Sequence, residues 1–232
     1  MTLIEIAALI DREVEPTLKT LVDLSTQLRA AHATGFYGFA QQEEMARQLD
    51  GVVRRAFADP EEIIVGIGVV WEHDDVSGML WWRADGGVVS RKDHVNNPAS
   101  DSYYDFTHME WYERTTTTDR LVVAGPYVDA WGTDDHALTP ALAVHDGGKR
   151  IGVSAIDLDV YRLTETLARV IAPYGDDLVV VNSDGQVVAS NRPALTPGER
   201  LAPYLQRRGL LVEGEAPVGS VDGWSIHRFA HV

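Results

Sequence analysis

A chain of 232 residues, 45% apolar and 24% charged, is long enough for one large domain or two small lobes with a true core. Its formal net charge of -15 opposes phosphate backbones and anionic lipid, so nucleic-acid partners and membrane-surface binding through charge are not expected. The absence of cysteine removes disulfides, thiolate metal sites and thiol nucleophiles together.

The first 15 residues have no basic flank and carry Glu5, Asp11 and Glu13 among apolar positions, unlike a signal peptide. No apolar run approaches the roughly 20 residues of a membrane span. A cytoplasmic location is therefore the expectation. From Leu3 to Ala31 the apolar residues Ile6, Ile10, Val14, Leu18, Leu21, Leu24 and Leu28 recur at three- and four-residue steps, which predicts one long helix. Pro16 lies inside it, where it either kinks the helix or marks the first turn of a second one. Its stripe needs a partner, either its own domain or a second copy in a homodimer. A second amphipathic helix is predicted from Gln42 to Phe57, stopped by Asp59-Pro60.

Strands follow. The nearly continuous apolar run Ile63 to Trp71 predicts a central strand buried on both faces. Gly78 to Arg83 is the next strand, and the chain from Lys92 to Ser102 reads as a polar loop. Leu121 to Ala124, Val128 to Trp131, Ala137 to Val144 and Ile151 to Leu158 complete an antiparallel set, with Asp146-Gly147-Gly148-Lys149 as a hairpin turn. Leu158 to Ile171 is helical. Beyond Pro173 a smaller unit is predicted: strand Leu178 to Val181, turn Asn182 to Gly185, strand Gln186 to Ser190, helix Glu199 to Arg208, and strands Leu210 to Glu213 and Trp224 to Phe229. The order is α+β. The expected organisation is a long helix over 1–35, a larger lobe over 36–157, a connecting helix over 158–172 and a smaller lobe over 173–232.

The residues with the clearest chemistry lie in Tyr104-Asp105-Phe106-Thr107-His108-Met109-Glu110-Trp111-Tyr112, in Gly125-Pro126-Tyr127-Val128-Asp129 and in Ile156-Asp157. These segments read as turns and strand ends. Aromatic side chains with one carboxylate suit a small cation. Asp157 is the candidate partner for an ammonium, Tyr104, Trp111, Tyr112 and Tyr127 face it as rings, and Glu110 and Asp129 add negative charge. Trp81 and Trp82 alternate onto opposite faces of their strand; one lines the pocket, with Trp82 as the candidate, and the other packs under a helix. Arg83 is a candidate anion contact. His94, His108, His145 and Thr133-Asp134-Asp135-His136 show no metal-ligand spacing, so no metal is expected. Thr115 to Thr118 reads as a polar loop, and no phosphate loop, nucleophile elbow or triad is present. No cofactor and no enzymatic activity are expected.

These segments, together with Ile151-Gly152-Val153 and Asn182-Ser183-Asp184-Gly185-Gln186-Val187-Val188-Ala189-Ser190, resemble a double Cache (PDC-type) sensor domain along nearly the whole chain. The resemblance implies a long N-terminal helix that carries dimerisation, followed by two PAS-like antiparallel lobes, with the ligand pocket in the first. In the amino-acid-sensing branch, an arginine and a Trp-Tyr pair meet the ligand carboxylate. A tyrosine and an aspartate hold its ammonium. Tyr104, Trp111, Tyr112, Tyr127 and Asp157 fall on matching positions, while the arginine position is Met109. A thioether cannot replace a bidentate guanidinium. The expectation is a soluble sensor for an amine or quaternary ammonium compound, passing its signal to a separate protein. The alternatives are a sensor for a small carboxylate or amino acid held by Arg83, and a ligand-free interaction module.

Overall fold

The computed structural model describes residues 1–35, 42–58, 63–73, 76–85, 87–92, 99, 104–128, 136–175 and 177–231. The expected features at Asp59-Pro60, His94, Asp129, Trp131 and Thr133 to Asp135 lie outside these residues.

Helix α1 runs without interruption over Leu3–Ala33. Thr2 and Glu5 form a reciprocal capping box at its start. Pro16 neither ends nor restarts it. An interior proline costs about 3 kcal/mol or more. The buried stripe on both sides offsets that cost: Ile6, Ile10, Leu21, Leu24 and Leu28 are fully buried, each worth roughly 1.5–3 kcal/mol. The stripe faces its own chain. Helix α1 packs on strands of both sheets, and Asp11 accepts the backbone N–H groups of Gly219 (3.1 Å) and Ser220 (2.7 Å) in the connection between the last two strands. Helix α2, Gln42–Ala56, lies beside α1.

The larger sheet has six antiparallel strands in the order β3-β2-β1-β6-β5-β4. They are β1 (Ile64–His73), β2 (Val76–Asp85), β3 (Val88–Lys92), β4 (Val122–Val128), β5 (His136–Asp146) and β6 (Lys149–Asp159). β1 is central, as its apolar run predicts. β3 stands just before the expected Lys92 to Ser102 loop, where no element is predicted; it is short and exposed at the sheet edge, so it carries no burial pattern that a sequence reading could detect. β4 carries the first expected strand on to Val128, its pairing with β5 shifting between Ala124 and Tyr127, while residues 129–131 of the next expected strand lie outside the described residues. The β5–β6 hairpin closes on Gly147 and Gly148, both at positive φ, as the turn signal predicts.

Alternation separates the two faces of this sheet. Ile67, Val69, Leu138, Ile156 and Leu158 join the main core under α1 and α2. Val70, Met79, Trp81, Ala124, Ala141, Val153 and Ala155 form a second core on the opposite face. That second core is covered by a helix where a polar loop is expected. Helix α3, Glu110–Thr118, includes the four-threonine run. β-branched residues are poor helix formers. Burial of Trp111, Tyr112 and Thr115 outweighs propensity here, and the hydroxyls of Thr116 and Thr118 bond back to the carbonyls of Tyr112 and Arg114.

Helix α4, Val160–Ile171, is capped by Asp159, which accepts from the N–H groups of Tyr161 (2.9 Å) and Arg162 (3.1 Å). It leads into a four-stranded sheet of order β8-β7-β10-β9: β7 (Leu178–Val181), β8 (Val187–Ser190), β9 (Leu210–Pro217) and β10 (Ser225–His231), with α5 (Leu201–Arg208) against it. A long helix followed by two antiparallel sheets is the expected α+β architecture.

His227 on β10 is expected to make this smaller sheet sensitive to acid. Its Nε2 lies 2.7 Å from Ser225 Oγ, while its buried Nδ1 makes no hydrogen bond. Burial pushes the imidazole below its ordinary value, partly opposed by Glu215. The unfolded chain therefore takes up the proton first as pH falls. The stabilising contribution is complete above about pH 6.5 and is lost as pH drops from there through the folded value. A His227→Gln variant is expected to show a smaller fall in Tm between pH 7 and pH 5 than the parent. Equal falls would remove His227 as the cause.

Candidate functional site

The cross-strand register arranges the second-core face in rows. One row runs Ser90, Arg83, Gly66, Asp157 across β3, β2, β1 and β6. The next runs Lys92, Trp81, Gly68, Ala155, Ala141, Val122 across all the strands. The centre of this face carries glycine and alanine, so its floor is low, and large side chains rise at its sides.

Trp81 lies across the glycines of β1. A Cβ on Gly68 would stand 2.4 Å from Trp81 Cε3 and 2.3 Å from the Leu80 carbonyl. A Cβ on Gly66 would stand 2.9 Å from both Trp81 Nε1 and Asp157 Oδ2. The two glycines thus bring an indole N–H and a carboxylate together on one floor. Trp81 is therefore the tryptophan of the site face. Trp82, singled out as a site residue, points the other way: it is 8% exposed in the main core and lines the surface groove with Ala46 and Asp50 of α2. The strict two-residue alternation of β2 decides this. Arg83 shares the site face with Trp81 and stands in the row of Asp157, two strands away.

Asp157 is 7% exposed on a central strand. Thr139 Oγ1 on β5 donates to its Oδ1 at 2.8 Å, and Tyr127 Oη lies 2.6 Å from Thr139 Oγ1. A hydroxyl has one proton. Thr139 uses it on Asp157, so Tyr127 donates to Thr139. This relay links Tyr127 to Asp157 and orders all three groups.

The aromatic segment covers the floor. Asp105 caps a single 3-10 turn over Phe106–His108, accepting from the Thr107 N–H at 3.0 Å. α3 then begins at Glu110. Phe106, Trp111 and Tyr112 are buried, and Tyr104, Met109 and Tyr127 pack around them half-exposed. The rings meet edge to face: Phe106 and Tyr112 at 5.2 Å, Trp111 and Tyr112 at 5.8 Å, with Trp81 and Trp111 tilted at 6.4 Å. Tyr104, Met109, Trp111, Tyr112 and Tyr127 thus gather in one cluster, joined to Asp157 through Thr139. The turns and strand ends expected for the first of these segments are instead a 3-10 turn and a helix. Glu110 does not add charge to the cluster. It is exposed and holds Arg114 at 2.8 Å on the outer side of α3.

Thr139, Gly66 and Gly68 have no signature as site residues. Thr139 sits in an alternating strand like any other, and its role appears only when β5 is set beside β6. Met109 brings no charge. A cationic group set against Asp157, with aromatic faces beside it, is the chemistry that this arrangement can hold.

Residues 67–165 match the family described as methyl-accepting chemotaxis protein-like, first PDC sensor domain. Those residues include Gly68 and Trp81 of the floor, the aromatic segment, Tyr127, Thr139 and Asp157. Among solved structures, the ligand-binding domain of the Pseudomonas aeruginosa PAO1 amino-acid chemoreceptor PctC, in complex with GABA, aligns over 97% of this chain and 93% of its own at 20% identity and TM-score 0.60. The sensory domain of the Campylobacter jejuni chemoreceptor Tlp3 with isoleucine bound aligns over 99% and 91% at 13% identity and TM-score 0.58. The extracellular domain of the putative histidine kinase mmHK1S-Z3 aligns over 95% and 88% at 15% identity and TM-score 0.60. At these identities the structures establish the shared fold. The matched family is described as a sensor domain.

Proposed function

We propose that this chain, a double Cache fold whose residues 67–165 form a PDC sensor domain of the methyl-accepting chemotaxis protein-like type, senses a small amine or quaternary ammonium compound. The observation that carries this reading is Asp157: a carboxylate buried on a central strand, oriented by the Tyr127–Thr139 relay, beside a cluster of aromatic rings. A ligand ammonium set against this carboxylate gains a charge-assisted hydrogen bond, and each ring it meets adds roughly 0.5–2 kcal/mol by cation–π attraction. Met109, at the position where the resemblance expects arginine, supports a ligand without a carboxylate there.

A second reading has its own observation. Arg83 stands in the same cross-strand row as Asp157 with β1 between them, so their backbones are about 10 Å apart. That span suits an ω-amino acid, with its ammonium on Asp157 and its carboxylate toward Arg83. Occupancy would be read by a signalling partner of the chemoreceptor or histidine-kinase kind. If the chain forms a homodimer through α1, the contact would use the outer face with Ile4 and Val22, because the inner stripe is occupied.

Three probes on one carbon skeleton test these readings: n-butylamine, butyrate and GABA. A probe at 100 times its Kd adds about 2.7 kcal/mol of stability, a rise in Tm of several degrees for a chain of this size. The amine reading expects shifts with butylamine and with a fourth probe, tetramethylammonium. A shift with GABA alone selects the second reading. A shift with butyrate alone, or none with any probe, overturns both.

A further inference from the structure

Asn182 belongs to the first turn of the smaller lobe, yet its side chain reaches into the larger one. It is 4% exposed. Its Nδ2 donates to the Gly125 carbonyl at 2.8 Å and to Gln186 Oε1 at 3.0 Å. Its Oδ1 accepts from the N–H groups of Asp184 at 3.0 Å and Gln186 at 2.9 Å. The acceptor side of the amide shapes its own turn, and the donor side grips the other lobe. Beside it, Arg114 on α3 donates to Asp184 Oδ2 at 3.2 Å and to Ser183 Oγ at 3.0 Å while holding Glu110.

Both contacts fall next to the ligand site. Gly125 lies in the break of the β4–β5 register, between Ala124 and Tyr127. Its φ is 97°, and a Cβ there would stand 2.7 Å from the Ala137 carbonyl, so the backbone path at this point admits little variation. Two residues on, Tyr127 begins the relay to Asp157. Arg114 is less than one turn from Trp111 and Tyr112 on a helix of nine residues.

We infer that the smaller lobe is a working part of the ligand site: Asn182 and Arg114 are positioning residues that hold Tyr127 and the Trp111–Tyr112 helix over Asp157. This rests on the ligand site proposed above. Loosening the Asn182 turn loosens the site, and by reciprocity filling the site tightens the contact between the lobes. Occupancy in one lobe is thereby felt in the other.

The discriminating variant is Asn182→Asp. A carboxylate keeps the two acceptor bonds that shape the turn but has no proton for the Gly125 carbonyl, and Gln186 can turn its own amide to face it. Hydrogen–deuterium exchange on the full chain without ligand is expected to show peptides 109–119 and 121–128 exchanging about tenfold faster, with 178–190 within about twofold of the parent. Asn191→Ala is the control. Asn191 ties the Leu178 N–H and the Gly175 carbonyl within the smaller lobe, so it loosens that lobe alone. In calorimetry, Asn182→Asp is expected to weaken n-butylamine binding about tenfold, and Asn191→Ala to leave it unchanged. Unchanged exchange in 109–119 and 121–128, or the same change in both variants, overturns the positioning role. If the parent takes up no butylamine, the amine reading fails while the exchange result still decides this inference.

Discussion

Replacing Asp157 by asparagine is expected to weaken n-butylamine binding at least about tenfold while leaving the protein folded. Asparagine has nearly the same shape, and its carbonyl oxygen can still accept the Thr139 hydroxyl that now lies 2.8 Å from Oδ1. The relay from Tyr127 therefore survives. What disappears is the charge. Hydrogen bonds to charged groups are worth about 1.5–3 kcal/mol net, against about 1 kcal/mol for neutral ones. That difference of about 0.5–2 kcal/mol, added to the cost of leaving a buried ammonium without its charge partner, corresponds to a factor of roughly ten or more in Kd. Titration calorimetry of parent and variant reads the affinity, and a melting curve without ligand reads the fold. Retained affinity would exclude Asp157 as the ammonium partner. Lost affinity with an unchanged ligand-free Tm is the result that the charge argument requires.

The second large effect is structural. Gly68→Ala is expected to lower Tm by roughly 5–10 °C and to abolish probe binding, since overpacking a core costs about 1–3 kcal/mol or more. The added methyl would stand 2.3 Å from the Leu80 carbonyl and 2.4 Å from the Trp81 ring. One neighbour is backbone in the adjacent strand. The other is an indole that already leans on Trp111 at 6.4 Å. Either β1 and β2 separate or Trp81 leaves the floor. The same change made at Gly51 has the opposite sign. Gly51 is exposed in the middle of α2, where a Cβ meets only Arg55 Nη1 at 3.6 Å. There, alanine is expected to stabilise by about 1 kcal/mol through helix propensity. Melting curves of the two variants side by side test this. Equal shifts would mean that the Trp81 contact does not constrain β1.

Much of the architecture is legible in the sequence because burial imposes a period. The stripe Ile6 to Leu28, the run at Ile63 to Trp71, the Gly147-Gly148 hairpin and the Asn182 turn each announce their element, and the structure places each within a residue or two of where the pattern puts it. β3 is silent because an exposed edge strand has no buried side to mark. α3 is misread because Thr115 to Thr118 argue locally against a helix, and contacts from a sheet far away in sequence override them.

The site divides in the same way. Tyr104, Trp111, Tyr112, Tyr127 and Asp157 can be picked out in the chain because aromatic rings and a carboxylate are chemically conspicuous wherever they stand, whereas Met109 is reached only through the family resemblance. Which of Trp81 and Trp82 faces them is a matter of strand phase, and phase is set only when β2 pairs with β1. Thr139 acquires a role only because β5 lies beside β6, and Asn182 only because the smaller lobe docks against Gly125. Residue chemistry is local and can be read in one dimension. The partner that a hydroxyl or amide finds depends on register and docking between distant segments, and the folded chain alone decides it.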